Sequence, residues 1–131
     1  MTWPATHLSI SVHRPTAEVA AFAGDPANLA LWAAGLGGGL REEDGRWFAE
    51  LGGGTVEVRF TGPTDAGVLD HEVLLPDGTV VLNPLRVLAN DAGSEVVFTL
   101  FQRDGVTAEQ LDADARAIAA DLATLKGLLE R

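Results

Sequence analysis

The segment from Thr107 to Arg131 constrains the fold most, because its pattern is that of one long amphipathic helix. Thr107 and Gln110 form a T-x-x-Q capping box, which satisfies two backbone N–H groups that otherwise lack partners at a helix start. A helix with one apolar side must pack against another layer, so the upstream sequence has to supply that layer. The apolar stripe recurs at steps of four and three: Leu111, Ala115, Ile118, Leu122, Leu125 and Leu129.

The upstream pattern predicts that this layer is an antiparallel sheet. Residues 7–13 alternate between polar and apolar, which is typical of a strand with one face in solvent. Two short helices are predicted next, one after Pro15 and one beginning at Asp25-Pro26. Short turns rich in glycine, proline, asparagine and aspartate then separate six predicted strands, which favours an antiparallel meander. These strands are residues 40–43, 46–51, 55–60, 68–75, 79–89 and 94–102.

Composition limits the classes of function. A chain of 131 residues, 47% hydrophobic and 21% charged, fits one domain over residues 1–131 with a sizeable core. A net charge of −10 argues against binding to nucleic acid or to an anionic membrane surface. Without cysteine there is no disulfide, thiolate metal site or cysteine nucleophile. No signal peptide or apolar stretch of about 20 residues is present, so we expect a soluble cytoplasmic protein without membrane insertion.

Strand parity predicts which side chains face the helix. If Pro76-Asp77-Gly78 is a three-residue loop, His71 lies opposite Asn83, whereas a two-residue turn shifts this register by one. In the three-residue register nearly every strand charge points outward, and the inner face is apolar except for His71, Asn83 and the terminal Gln102. A curved sheet with such a face, closed by one helix, can enclose a cavity in which two polar groups orient a mostly apolar ligand.

The apolar wall of this cavity follows from the same parity and from the helical stripe. Trp32 and Trp47 are further candidates for the lining, although both fit equally well as ordinary core aromatics. Asn83-Pro84 interrupts a long strand, where proline usually marks a bulge that re-aims its neighbours. The expected apolar contacts are Val56, Val58, Phe60, Leu69, Val73, Leu85, Phe98, Ile118 and Leu122.

The order strand, two short helices, six strands and long helix resembles the SRPBCC superfamily. This group includes START domains, the major birch pollen allergen, bacterial polyketide cyclase/dehydrase-like proteins and short bacterial members. The resemblance implies an α+β helix-grip fold, in which a seven-stranded antiparallel sheet (β-α-α-β6-α) wraps round the C-terminal helix over a hydrophobic pocket. Members bind lipids, sterols, polyketides or plant hormones, and some catalyse aromatisation or cyclisation, but no shared catalytic motif carries over to this sequence. The resemblance rests on residues 7–12, Pro15-x-x-x-Val19, Asp25-Pro26, Trp32, 67–73 and 98–102.

His71 is the sharpest candidate for a functional role, because imidazole can donate, accept or transfer a proton near neutral pH. Asn83 could orient the ring or bind a ligand carbonyl. The alternative is a buried histidine satisfied by Asn83 or by a water molecule. Asp70, His71 and Glu72 are adjacent, but successive strand residues point to opposite faces, so no metal site is predicted.

No cofactor is implied. The two glycine triplets, at 37–39 and 52–54, lack the Gly-Lys-Ser/Thr of a phosphate-binding loop and the G-x-G-x-x-G spacing. Both are predicted to be turns, with a flexible rim at the mouth of the pocket as the alternative.

Three functions remain open. The first is binding of a small hydrophobic or aromatic ligand, lipid- or polyketide-like, between the sheet and the helix. The second is a polyketide cyclase, dehydratase or aromatase that uses His71 as general acid/base and needs no metal. The third is a protein-interaction module whose cavity is filled by side chains, with outward Val97 and Phe101 as the partner surface. The sequence leaves open the ligand and the oligomeric state, monomer or homodimer.

Overall fold

The computed structural model describes residues 1–34 and 39–131, so the predicted glycine turn at 37–39 lies largely outside the described residues. Within these residues three helices and eight strands occur in the predicted sequence of helical and strand regions, and a short 3-10 turn, Pro26–Asn28, precedes the second helix. The helices are α1 (Thr16–Ala23), α2 (Leu29–Trp32) and α3 (Ala108–Leu129). The strands are β1 (Ala5–Val12), β2 (Arg41–Glu43), β3 (Arg46–Leu51), β4 (Gly54–Phe60), β5 (His71–Leu74), β6 (Val80–Asn83), β7 (Leu85–Asn90) and β8 (Gly93–Phe101).

The strands form two antiparallel sheets, ordered β1-β8-β7 and β2-β3-β4-β5-β6. A short backbone junction joins the sheets just before β5. Val68 bridges Arg86, the Leu69 N–H donates to the Leu85 carbonyl at 2.8 Å, and the Val87 N–H donates to the Gly67 carbonyl at 2.9 Å. The long helix α3 packs against this curved surface, which confirms the predicted α+β class.

Strand number is one correction to the prediction. The long strand expected over residues 79–89 is split at Pro84, so there are eight strands among the described residues and not seven. Proline has no N–H to donate and cannot continue a hydrogen-bond ladder through a central strand. Consequently β6 pairs with β5, whereas β7 pairs with β8. The strand expected over 68–75 is also shorter, because residues 68 and 69 belong to the junction with β7.

The three-residue register is confirmed. The Leu75 N–H donates to the Thr79 carbonyl at 2.8 Å and closes the loop Pro76–Gly78, whose Gly78 has a positive φ of 88°. His71 therefore pairs with Asn83 across β5 and β6. Leu85 and Val87, on the inner face of β7, are buried, whereas Arg86 between them is exposed, as parity predicts.

The tightest packing lies where α1, the C-terminal half of α3 and the inner sheet faces meet. Val19, Leu69, Leu85, Val96 and Leu125 are each at most 1% exposed there. No helix of the described chain is both long and apolar enough to cross a membrane.

The stripe of α3 is buried unevenly. Leu122, Leu125 and Leu129 are buried, and the helix packs on β1 and α2. Ile118 and Leu111, nearer the N-terminus, are only half-buried. Because the helix contacts the first sheet more closely than the second, a space remains between its N-terminal half and strands β5 and β6.

Both hydrogen bonds of the capping box are formed: Gln110 N–H to Thr107 Oγ1 at 3.1 Å, and Thr107 N–H to Gln110 Oε1 at 2.9 Å. Thr107→Ala removes one of them and leaves an N–H without its partner. We expect the free energy of unfolding, measured by urea denaturation, to fall by about 1 kcal/mol.

Thr124→Ala is the matched control on the same helix. The Thr124 hydroxyl donates only to the Ala120 carbonyl at 3.0 Å and is exposed, so its loss should change stability by no more than about 0.5 kcal/mol. Equal stabilities for the two variants would contradict a stabilising cap.

Candidate ligand-binding cavity

A cavity of about 450 Å³ lies between the N-terminal half of α3, the inner face of β4–β8 and the end of α2. This volume is in the lower part of the range of small-molecule sites, which is about 300–1,000 Å³. Apolar side chains make up most of its wall, as is usual for such sites.

Most residues that the sequence predicted for the wall line this cavity. They come from α2, five strands and α3, which the sheet curvature brings together. They are Trp32, Val58, His71, Val73, Asn83, Leu85, Phe98, Ile118 and Leu122.

Four predicted residues lie elsewhere. Val56 and Leu69 are buried in the packed core, with 2% and 0% of their surface exposed. Phe60 packs behind the cavity wall against the His71 ring, with ring centroids 5.6 Å apart. Trp47 is half-buried and borders a separate surface depression beside Arg46. Parity identifies the face of the strand on which a side chain lies. It does not show whether other side chains cover that position, so it could not distinguish these four residues from those that line the cavity.

Sequence reasoning missed three charged residues of the lining: Arg103, Asp114 and Asp121. Both aspartates were placed off the apolar stripe of α3. They lie four residues before and three residues after Ile118, which is the spacing of one helical face, so helical periodicity could have found them. Arg103 follows β8 in a loop, where no periodic signal exists.

The His71 ring is held by the backbone. Its Nδ1 lies 3.0 Å from the Leu69 carbonyl oxygen, which can only accept, so Nδ1 carries the proton. Burial lowers the pKa of His71, outweighing the Leu69 hydrogen bond and the Asp70 charge, which raise it. The ring is therefore neutral at pH 7, and Nε2 carries a lone pair.

Nε2 of His71 and the side-chain amide of Asn83 have no hydrogen-bond partner among the described residues, including each other. Neither is sealed inside the protein, since the indole Nε1 of Trp32 is the one buried, unpaired side-chain polar atom found in residues 1–34 and 39–131. Both groups are therefore accessible, and the cavity is the open space that the two residues line. Asn83, one of the two partners that the sequence offered for a buried His71 ring, does not bond to it, and the Leu69 carbonyl does so instead.

Trp32 contributes an unusual buried donor. Its side chain lines the cavity and is 6% exposed, yet its Nε1–H has no acceptor within the described chain. Leaving such a donor unpaired costs about 1–3 kcal/mol.

Asp121 ties α3 to the end of α2. Its Oδ1 accepts the Ala34 N–H at 3.2 Å, and partial burial raises its pKa despite that hydrogen bond. Among the described residues, no group of three or more histidine, aspartate or glutamate side chains is arranged to hold a metal ion.

Asp70, on the outer face behind His71, stabilises the strand break. Its Oδ1 accepts the Leu85 N–H at 3.0 Å, immediately after Pro84, and its two oxygens accept Arg86 Nε at 2.8 Å and Nη2 at 2.7 Å. The Arg86 hydrogen bond is the main cause that lowers the pKa of Asp70. The carboxylate thus holds the point where β6 turns away from β7.

The cavity opens beside β6. This strand pairs with β5 alone, so its other edge has no β-sheet partner in the described structure. Leu82, on that edge, is 47% exposed and borders the cavity together with Phe101, Arg103 and Val106. The opening therefore lies between β6 and the segment after β8, where Arg103 also sits 5.8 Å above the Trp3 ring.

The sequence matches no protein-family model and no curated protein. Solved structures do match it. The Zhui aromatase/cyclase from Streptomyces sp. R1128 superposes with a TM-score of 0.70 at 20% identity, covering 98% of this chain and 94% of that chain. The Aha1 dimer from Colwellia psychrerythraea gives 0.73 at 14% identity, covering 97% and 96%. DynU16, from the dynemicin biosynthetic locus, gives 0.72 at 14% identity over 96% of this chain but only 47% of its own.

The chain has the helix-grip fold. The predicted resemblance to SRPBCC proteins is confirmed at the level of fold, with eight strands in two sheets in place of seven. Identities of 14–20% carry the likeness no further than the fold.

Asp70→Asn tests the support of the strand break. Because the folded pKa of Asp70 is lowered, its stabilisation is present above the ordinary aspartate pKa of about 3.9 and is lost as pH falls through the folded pKa. We expect Asp70→Asn to reduce the free energy of unfolding at pH 7 by about 1–3 kcal/mol, with the difference from wild type vanishing at acidic pH. Urea denaturation across a pH series measures both effects.

Glu72→Gln is the neighbouring control. Glu72 pairs with Arg59 at 2.9 Å, but 53% of the arginine side chain is exposed, and such pairs contribute about 0–1 kcal/mol. If Asp70→Asn changed stability no more than Glu72→Gln, the strand break would not depend on Asp70.

Proposed function

We propose that this protein binds a small, mostly apolar ligand, aromatic or polyketide-like in shape, in the cavity between α3 and the sheet. The observation that carries the proposal is a mostly apolar cavity of about 450 Å³ lined by His71 and Asn83, whose Nε2 and side-chain amide have no hydrogen-bond partner among the described residues. A few fixed polar groups in an apolar wall are the usual means of orienting such a ligand. The unfilled volume favours binding over an interaction module with a filled cavity.

Charge favours a neutral ligand. The chain carries a net charge of −10, and Asp114 and Asp121 lie in the wall. A carboxylate or phosphate in the cavity would be repelled by these groups, with Arg103 at the opening as its nearest attraction. We therefore favour neutral aromatic or polyketide-like molecules over free fatty acids.

A cyclase or aromatase activity is the second candidate. A neutral His71 whose Nε2 lone pair is accessible from an apolar cavity has the properties of a general base. The Zhui aromatase/cyclase has the same fold, which supports this candidate without deciding it. Turnover of a polyketide-like substrate, with a kinetic pKa below that of ordinary histidine and loss of turnover in His71→Gln, would favour the enzyme.

Location and assembly stay predictions. We propose a cytoplasmic protein that is a monomer or a homodimer, and the helix-grip neighbour Aha1 was solved as a dimer.

A matched pair of tryptophan substitutions on α3 tests the binding proposal. Ala117 and Ala120 are both exposed, but only Ala117 lines the cavity. Ala117→Trp places an indole in the cavity, so we expect it to weaken binding of the neutral fluorescent probe N-phenyl-1-naphthylamine at least about tenfold, or about 1.4 kcal/mol. Fluorescence titration measures the affinity.

Ala120→Trp should bind the probe as wild type does, since it adds the same side chain away from the cavity. Equal effects of the two substitutions, or no saturable binding by the wild-type protein, would refute ligand binding in this cavity.

A further inference from the structure

The fold fixes the hydrogen-bonding character of His71. The Leu69 carbonyl that accepts its Nδ1–H belongs to a residue that is 0% exposed and lies in the junction between the two sheets. The carbonyl is thus held in place, and the proton stays on Nδ1 while the ring is neutral. Nε2 offers the cavity an acceptor and no donor.

A ligand must therefore bring a donor to Nε2. A ketone, ester or ether oxygen would set one lone pair against another at this point and would leave Nε2 unsatisfied. An ammonium group could donate, but moving a charged group into an apolar cavity is costly. The group that fits is a neutral N–H or O–H.

Asn83 further limits which neutral donor group of a ligand fits this site. It is the direct cross-strand partner of His71, and paired residues place their Cβ atoms about 4.5–5.5 Å apart. Its side-chain amide has no hydrogen-bond partner among the described residues, so it can donate to a ligand beside the Nε2 acceptor. One atom that donates to Nε2 and accepts from the amide satisfies both side chains, and a hydroxyl oxygen does this.

We propose that the cavity selects a ligand bearing a phenolic or enolic hydroxyl, which donates to His71 Nε2 and accepts from the Asn83 amide. A phenol or enol is a stronger donor than an aliphatic alcohol, and its planar carbon frame suits a wall formed by Val73, Phe98 and Ile118. This inference rests on the proposed ligand-binding function and names the polar group that the ligand carries.

The test compares 2-naphthol with 2-methoxynaphthalene, which has the same ring system and oxygen but no hydroxyl proton. We expect wild-type protein to bind 2-naphthol about tenfold more tightly, measured by displacement of N-phenyl-1-naphthylamine. His71→Leu should reduce this preference to about twofold or less, whereas Glu72→Gln, on the outer face of the same strand, should keep it.

Nitrogen NMR of His71 provides a readout that needs no variant. In the free protein the imidazole proton should be on Nδ1, and adding 2-naphthol, but not 2-methoxynaphthalene, should shift the Nε2 resonance. A proton on Nε2 in the free protein would overturn the inference.

The outcomes separate this inference from the function on which it rests. Equal affinities for the two naphthalenes would refute hydroxyl selection and leave ligand binding intact. If the wild-type protein bound none of the three compounds, 2-naphthol, 2-methoxynaphthalene and N-phenyl-1-naphthylamine, both the proposed ligand binding and the hydroxyl selection would be refuted.

Discussion

The missing N–H of Pro84 is the constraint on which the rest of the site depends. Because the hydrogen-bond ladder cannot pass through this residue, β6 stays with β5 while β7 joins β8. The two sheets separate beyond this point, and strands of both sheets line the cavity. Asp70 compensates by accepting the Leu85 N–H that follows the proline, so that a broken strand does not leave an unpaired donor.

The long helix determines the depth of the cavity. Its C-terminal half is buried against β1, where Leu122, Leu125 and Leu129 complete the core. Its N-terminal half stands away from β5 and β6, and half-buried Ile118 faces the remaining space. A helix packed equally along its length would leave no such volume. The core contacts of this helix therefore lie mainly on its C-terminal half and the cavity mainly beside its N-terminal half, with Leu122 belonging to both.

The polar chemistry of the site comes from backbone geometry more than from side-chain pairing. The Leu69 carbonyl determines the tautomer of His71 because it accepts the Nδ1–H, and burial keeps the ring neutral. Asn83 lies opposite His71 without bonding to it, so Nε2 of His71 and the Asn83 amide both lack a hydrogen-bond partner among the described residues. Because this carbonyl belongs to the junction between the sheets, the same contacts that join the sheets also set the hydrogen-bonding character of the site.

The sequence alone determined the order of elements and the capping of α3, because both depend on local periodicity and end signals. It favoured the three-residue turn that pairs His71 with Asn83, and the structure decided between that turn and a two-residue one. It also identified the face of the sheet that looks toward the helix. Only the tertiary structure decided which residues of that face reach open space, since Val56 and Leu69 share its parity but are covered by packing. Only the tertiary structure placed Arg103 in the cavity wall and showed that a backbone carbonyl is the partner of the His71 ring. Both features depend on how segments of the chain pack together and not on any periodic pattern along the sequence.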